Sequence, residues 1–141
     1  MNKADCPFCK GPAGHVVFSG PRFRILRPQE AGFPAFYRLV WAEHVAELSD
    51  LSAADRLLCM ESVVKVEQVL RRHLKPSKIN LASLGNMVPH LHWHIIARFD
   101  WDSHFPAPVW APAQRQAPAD ALAQVVAARE AVEDNIRAEL T

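Results

Sequence analysis

The chain has 141 residues, half of them hydrophobic and 22% charged, the balance of one ordinary globular domain able to bury its own core. With 16 basic and 15 acidic side chains the formal net charge is +1, so neither a nucleic-acid backbone nor an anionic membrane is an expected partner. No run approaches the ~18 apolar residues of a membrane span, the first residues lack the apolar stretch of an export signal, and three cysteines without such a signal point to a reducing cytoplasm.

Cys6 and Cys9 form a C-x-x-C, the spacing of one zinc knuckle. No second C-x-x-C exists, so two further ligands must come from elsewhere, or the pair is simply two free thiols. Residues 15–19 ("HVVFS") and 22–27 ("RFRILR") read as two strands around the turn signal Gly20-Pro21. After the loop "QEAGFPA", residues 36–42 ("FYRLVWA") read as a third strand, rich in aromatic and branched side chains. The clearest helix follows, with Ser52 as N-cap and Asp55 three residues on. Leu58, Cys59, Ser62, Val63, Val66, Val69, Leu70 and Leu74 trace its apolar face, and Pro76 stops it. Residues 78–84 and 90–97 read as two more strands, separated by the loop "GNMVP". The proline- and tryptophan-rich stretch 100–118 carries no periodicity. In residues 119–140 the residues Leu122, Val125, Val126, Val132, Ile136 and Leu140 mark a last helix. Hairpin-linked strands with one long helix and a C-terminal helix predict an α+β domain with an antiparallel sheet.

The stretch "HLHWHIIAR" (90–98) carries the chemistry. In a strand, alternate side chains face opposite ways, so His90, His92 and His94 share one face while Leu91, Trp93 and Ile95 share the other. The second set makes a core face. The first is a row of imidazoles about 6.5–7 Å apart, from the rise per residue. A neutral imidazole can attack phosphorus, and neighbouring rings and backbone N–H groups can stabilise the phosphoryl oxygens. Gly85 allows close backbone approach in the preceding loop, and Asn86 supplies an amide donor. A three-histidine zinc site is the main rival, but alternate positions on one strand rarely converge on one ion. An inert surface row is the bland alternative. Other polar residues have plainer readings: His73 as a helix-end surface group, His104 as a turn residue, Arg98 in a salt bridge, Trp101 and Trp110 as packing for the irregular stretch.

"HLHWHII" resembles the signature of the histidine triad (HIT) superfamily of nucleotide hydrolases and transferases. "KINLASLGNMVPHLHWHIIARFDWDSHFPAPVW" resembles a bacterial subgroup along its whole length, and "WAEHVAELSDLS" resembles the segment holding an upstream histidine. The resemblance implies an α+β fold with a five-stranded antiparallel sheet over residues 1–112, followed by a C-terminal tail and helix over 113–141. It implies a homodimer and a nucleotide substrate cleaved at the α-phosphorus, such as a dinucleoside polyphosphate or a nucleoside phosphoramidate. A nucleotide-binding regulatory protein with little catalysis is the alternative. By motif position His92 matches the nucleophile, His94 the phosphate contact, and His90 the supporting or metal-binding histidine. Asn80 matches an asparagine near ribose and phosphate. Asn86 stands where many relatives carry glutamine. No residue matches the acidic ribose-binding position, although Gln29 and Glu30 lie nearby. Some relatives join an N-terminal C-x-x-C to the upstream and first triad histidines around a structural zinc. Here that set would be Cys6, Cys9, His44 and His90, with His15 as the substitute for His44.

Overall fold

A computed structural model describes residues 1–141. Five strands form one antiparallel sheet in the order β1-β2-β3-β5-β4: β1 His15–Ser19, β2 Phe23–Arg27, β3 Phe36–Trp41, β4 Lys78–Ala82 and β5 His92–Arg98. This is the predicted α+β architecture. A helical turn, α1 (Pro7–Lys10), precedes the sheet, and a short 3-10 turn spans Leu48–Asp50. Neither was expected, because four or fewer residues carry no periodicity to read.

The long helix α2 runs Ala53–Leu74, and Ser52 caps it by accepting from the Asp55 N–H at 3.1 Å. It ends at Lys75, a non-glycine residue in the left-handed region (φ 48°), before Pro76 can interfere. The C-terminal helix α3 spans Ala119–Leu140 as predicted. Two residues placed on the apolar faces are in fact exposed: Leu58 on α2 and Val126 on α3. Each helix has only one flank against the sheet and the other helix, so the outermost apolar position of each stripe is left in solvent.

The pleat sorts the sheet into two faces. Ile25, Tyr37, Leu39, Trp41, Leu91 and Ile95 turn toward α2 and α3 and join Val63, Val66, Val132 and Ile136 in the main core. The C-terminal helix thus closes the core. The opposite face carries Leu26, Phe36, Arg38, Val40 and the even-numbered residues of β5. It is covered by α1, by the 83–90 loop and by the irregular segment after β5.

That segment is held by one ion pair. Arg98 donates from Nε and Nη2 to the two oxygens of Asp102 at 2.8 and 3.0 Å, and both side chains are 2% exposed. Arg98 also donates to the Ala107 carbonyl and to Asn80 Oδ1, each at 2.8 Å. Asp102 accepts from the N–H groups of Phe99, His104 and Phe105. Burial opposes its ionisation, but these donors hold its pKa below the ordinary carboxylate value. The salt bridge expected of Arg98 is therefore present. Asp102→Ala is expected to destabilise the domain by about 3–5 kcal/mol, because it strands a buried guanidinium. Denaturant unfolding measures this, and a loss under about 1 kcal/mol would contradict the role given to the pair.

Candidate functional site

The triad sits where β5 begins. The chain enters from Pro89 through a tight turn, with the His90 N–H donating to Val88 O at 2.8 Å and Leu91 N–H donating to Val45 O at 2.7 Å. His90 therefore lies before the strand, which starts at His92 rather than at residue 90. The even spacing of about 6.5–7 Å is not kept either. The rings of His92 and His94 lean together, with centroids 5.0 Å apart and planes at 82°. All three rings are nearly buried, with His90 the deepest at 1% exposed.

Hydrogen bonds distinguish the three rings. His92 Nδ1–H donates to the His90 carbonyl at 2.6 Å, which leaves Nε2 as a free lone pair. His94 Nδ1 accepts from Arg38 Nε at 3.4 Å, which puts the His94 proton on Nε2. His90 Nε2 donates to Trp41 O at 2.6 Å, so its Nδ1 is a lone pair. The start of β5 and the turn before it thus present a nucleophilic nitrogen at His92, a donor at His94 and a free lone pair at His90.

His92 and His94 line a cavity of about 410 Å³ with Phe8, Arg38, Gly85, Asn86 and Trp110. A larger cleft of about 590 Å³ lies between the β2–β3 loop and α3, but it contains no triad residue. Gly85 has φ +87°, the left-handed region, so the loop's course demands glycine there. Asn80 lies one strand away at the level of Ile96, and its side-chain oxygen is taken by Arg98, leaving its NH₂ free to donate. It does not line the cavity. Trp110, read from sequence as packing, is 55% exposed with its ring 5.4 Å from that of His94. Trp101 does pack, stacked on Phe99. His104 rests against Phe33, outside the cavity.

Three site residues were invisible in the sequence. Arg38 stands opposite His94 in the β3–β5 register. Phe8 touches the rings of His90 and His92, with centroids at 5.6 and 4.9 Å. Arg24 ties α1 to the sheet by donating to the carbonyls of Phe8 and Gly11 at 2.7 and 3.2 Å. A lone arginine amid the aromatic run "FYRLVW" was the one available signal.

Burial first, then His92 and Arg38, lowers the His94 pKa to about 4. Burial and Arg38 also lower that of His92, partly offset by the bond to the His90 carbonyl. Both rings are therefore neutral at pH 7. The folded pKa of His94 lies below its unfolded value near 6.5, so the unfolded chain binds the proton more tightly. Its contribution is complete above pH ~6.5 and is lost as pH falls toward ~4, by about 3 kcal/mol in total. The groups around it that bear on this are His92, Arg38, Phe36 and Trp110. In His94→Gln the fall in unfolding free energy between pH 7 and 4 should be smaller by that amount. Equal slopes in variant and wild type would contradict it.

Behind the triad lies a second cluster. Cys6, Cys9, His44 and His90 offer ligand atoms that all lie within 4.8 Å of one another. Individual separations are 3.4 Å (Cys6 Sγ to His90 Nδ1), 3.3 Å (Cys9 Sγ to His44 Nδ1), 3.6 Å (Cys9 Sγ to His90 Nδ1) and 3.2 Å between the two Nδ1 atoms. His44 Nε2 donates to Met1 O at 3.0 Å, so its Nδ1, like that of His90, is a lone pair. Two lone pairs facing at 3.2 Å repel unless a cation lies between them. Burial and the neighbouring Cys6 raise the Cys9 thiol above its ordinary value, a tendency that a cation reverses. These four residues are therefore arranged so that they could hold a metal ion. His15 is not part of it; exposed on β1, its Nε2 lies 3.6 Å from Glu133.

Comparison with known proteins agrees with this geometry. The sequence profile of the HIT domain matches residues 12–101. A histidine triad protein from Bradyrhizobium japonicum is 32% identical, covering 83% of this chain and 89% of its own, with a TM-score of 0.67. A histidine triad protein from Sinorhizobium meliloti 1021 is 25% identical over 87% of this chain and 90% of its own, with a TM-score of 0.68. A zinc-bound histidine triad family protein from Mycobacterium smegmatis shares the fold at 16% identity, covering 99% of this chain and 95% of its own, with a TM-score of 0.62. No protein of curated function matches the chain. The heptad leading into β5, the five-stranded sheet and the matched profile agree that the chain belongs to the histidine triad family.

Proposed function

We propose that the protein is a nucleotidyl hydrolase or transferase acting at the α-phosphate of nucleotide conjugates. The observation that carries this is the tautomer of His92, whose Nδ1–H is held by the His90 carbonyl so that the Nε2 lone pair is free beside the cavity. In the reaction Nε2 bonds to the α-phosphorus as the bond to the leaving oxygen or nitrogen breaks. The leaving group departs with the electron pair and takes up a proton. Water then displaces the nucleotide from His92, and the imidazole returns to its starting form. His94 Nε2–H and the Gly85–Asn86 loop donate to the phosphoryl oxygens. A cavity of about 410 Å³ suits one nucleotide, and the exposed ring of Trp110 offers the base a stacking surface. Dinucleoside polyphosphates, nucleoside phosphoramidates and adenylylated metabolites are the candidate substrates.

The metal is proposed to be zinc. Bonds of about 2.0–2.1 Å to nitrogen and ~2.3 Å to sulfur set tetrahedral corners roughly 3.3–3.5 Å apart for N–N and N–S pairs. Four of the six separations, 3.2 to 3.6 Å, match those edges. Four protein ligands close the site to substrate, so the zinc would be structural, holding α1 and Phe8 against the triad.

The protein is further proposed to act as a homodimer. Strand β4 is a sheet edge, and Leu81 on it and Leu84 just after it are exposed. No helix is long and apolar enough to cross a membrane, and a cytoplasmic place is proposed from the reduced cysteine set.

A panel of adenosine and guanosine polyphosphates, phosphoramidates and adenylylated amino acids tests the activity. The expected result is release of a nucleoside monophosphate, with an adduct of one nucleotide mass on the peptide holding His92 after quenching in alkaline denaturant, which preserves the P–N bond. Release of inorganic phosphate alone, or no turnover of any α-phosphate substrate, would contradict it.

A further inference from the structure

We propose that Arg38 is a catalytic residue of this site: its guanidinium grips the phosphoryl oxygens of the substrate, and Glu30 is the counter-ion it releases on binding. This rests on the nucleotide reading above and names the group that answers the substrate's charge.

The position comes first. Arg38 is in mid-β3, opposite His94 in register, and it lines the same cavity as His92, His94 and Trp110. No other residue lining that cavity carries a permanent charge. Arg38 is therefore the cation placed to meet an α-phosphoryl group in that cavity. Charge spreads over the equatorial oxygens during transfer, and a planar guanidinium can meet two of them at once.

The pairing comes second. A structural arginine in this protein looks like Arg98: a bidentate carboxylate at 2.8 and 3.0 Å, with 2% of each side chain exposed. Arg27 is similar, at 3.1 Å from a carboxylate that is 6% exposed. Arg38 is different. Its side chain is 21% exposed, yet its carboxylate partner, Glu30, sits at 3.6 Å and is 42% exposed. Burial accordingly lowers the Arg38 pKa, with Glu30 only partly offsetting it. The guanidinium is partly desolvated, loosely paired, and open to a better anion. A phosphoryl group supplies one, and Glu30, on an exposed loop, can turn to water at little cost.

Arg38 also acts on His94. Its Nε–H donates to His94 Nδ1 at 3.4 Å, which keeps the other ring nitrogen protonated as a donor. One side chain therefore contacts the phosphate and orients the second donor that contacts it.

The test compares wild type with Arg38→Gln, Arg38→Lys and Glu30→Gln, in full-length protein, by turnover and by calorimetric binding of AMP and inorganic pyrophosphate. Arg38→Gln is expected to lower kcat/KM by about 10²–10³-fold and to weaken binding of both anions. Arg38→Lys should recover part of each, since the charge remains but the fork is lost. Glu30→Gln should move the opposite way, tightening anion binding and lowering KM. A merely structural pair predicts instead that Glu30→Gln and Arg38→Gln fail alike. That result, or an Arg38→Gln protein within threefold of wild type in both readouts, overturns the proposal. If Arg38→Gln does not fold, Arg38→Lys and Glu30→Gln decide by the sign of their binding changes. Wild type that binds AMP without turnover refutes the hydrolase reading alone, and the binding comparison still judges Arg38. Wild type that binds neither anion refutes both.

Discussion

His92→Ala is expected to lower turnover of an α-phosphate substrate by a factor on the order of 10⁴ or more, with substrate affinity nearly kept. The reason is geometric. The cavity holds two imidazoles, and only His92 has an uncommitted lone pair; the Nδ1 of His94 is taken by Arg38 and its Nε2 carries the proton. His94 therefore cannot replace the missing nucleophile without a change of tautomer and loss of the Arg38 bond. Single-turnover kinetics with a labelled nucleotide conjugate measures the effect, and AMP binding by calorimetry controls for an intact pocket. Imidazole added to His92→Gly should restore part of the rate, because the deleted ring leaves a space bounded by Phe8 and Val40. Turnover within tenfold of wild type in His92→Ala would mean that water attacks the phosphorus directly.

Loss of the proposed zinc is expected to have the next largest effect, and to have it locally. Structural zinc contributes an apparent ~10–16 kcal/mol in peptides that fold only with metal. This domain differs because its main core, built from the other face of the sheet and both helices, holds none of the four ligands. The cost falls on residues 1–14, anchored by the small cluster of Cys6, Phe8, Leu26 and Val40 and by Arg24. In Cys9→Ser, or after strong chelation, the N-terminal segment should become open to protease while the rest resists. Elemental analysis should show about one zinc per chain before treatment and none after it. Activity should fall in parallel, because Phe8 lies against His92 and His90 supplies both a ligand and the carbonyl that sets the His92 tautomer. A variant without metal whose first 14 residues stay as protected as in wild type would contradict this picture.

The two sites share one residue for a reason visible in the backbone. His90 leaves the strand pattern because Pro89 and the turn to Val88 deliver it from the loop, and its ring points back toward α1. A strand running from residue 90, as alternation alone suggests, would have placed three equivalent rings in a row. The turn makes them unequal. His90 belongs to the cluster with Cys6, Cys9 and His44, while His92 and His94 belong to the cavity.

What the sequence determined was local. Period two in "HLHWHII" assigned Leu91 and Ile95 to the core and His92 and His94 to the opposite face, because a strand must alternate its side chains. The spacing of three and four in residues 53–74 and 119–140 determined both helices, since one apolar stripe has to be buried. Ser52 announced the start of the first. The tertiary structure decided whatever depends on pairing between distant segments. Arg38 is an unremarkable charge in "FYRLVW" until register sets it opposite His94. The resemblance named His44 as the third ligand with His15 as its substitute, and the packing of α1 beside His90 decides for His44. Trp110 had the composition of a packing residue, and the anchor at Arg98 and Asp102 turned it to the cavity instead. Periodicity is set by each residue's own backbone, whereas register and loop course are set by contacts between segments that the linear order does not specify.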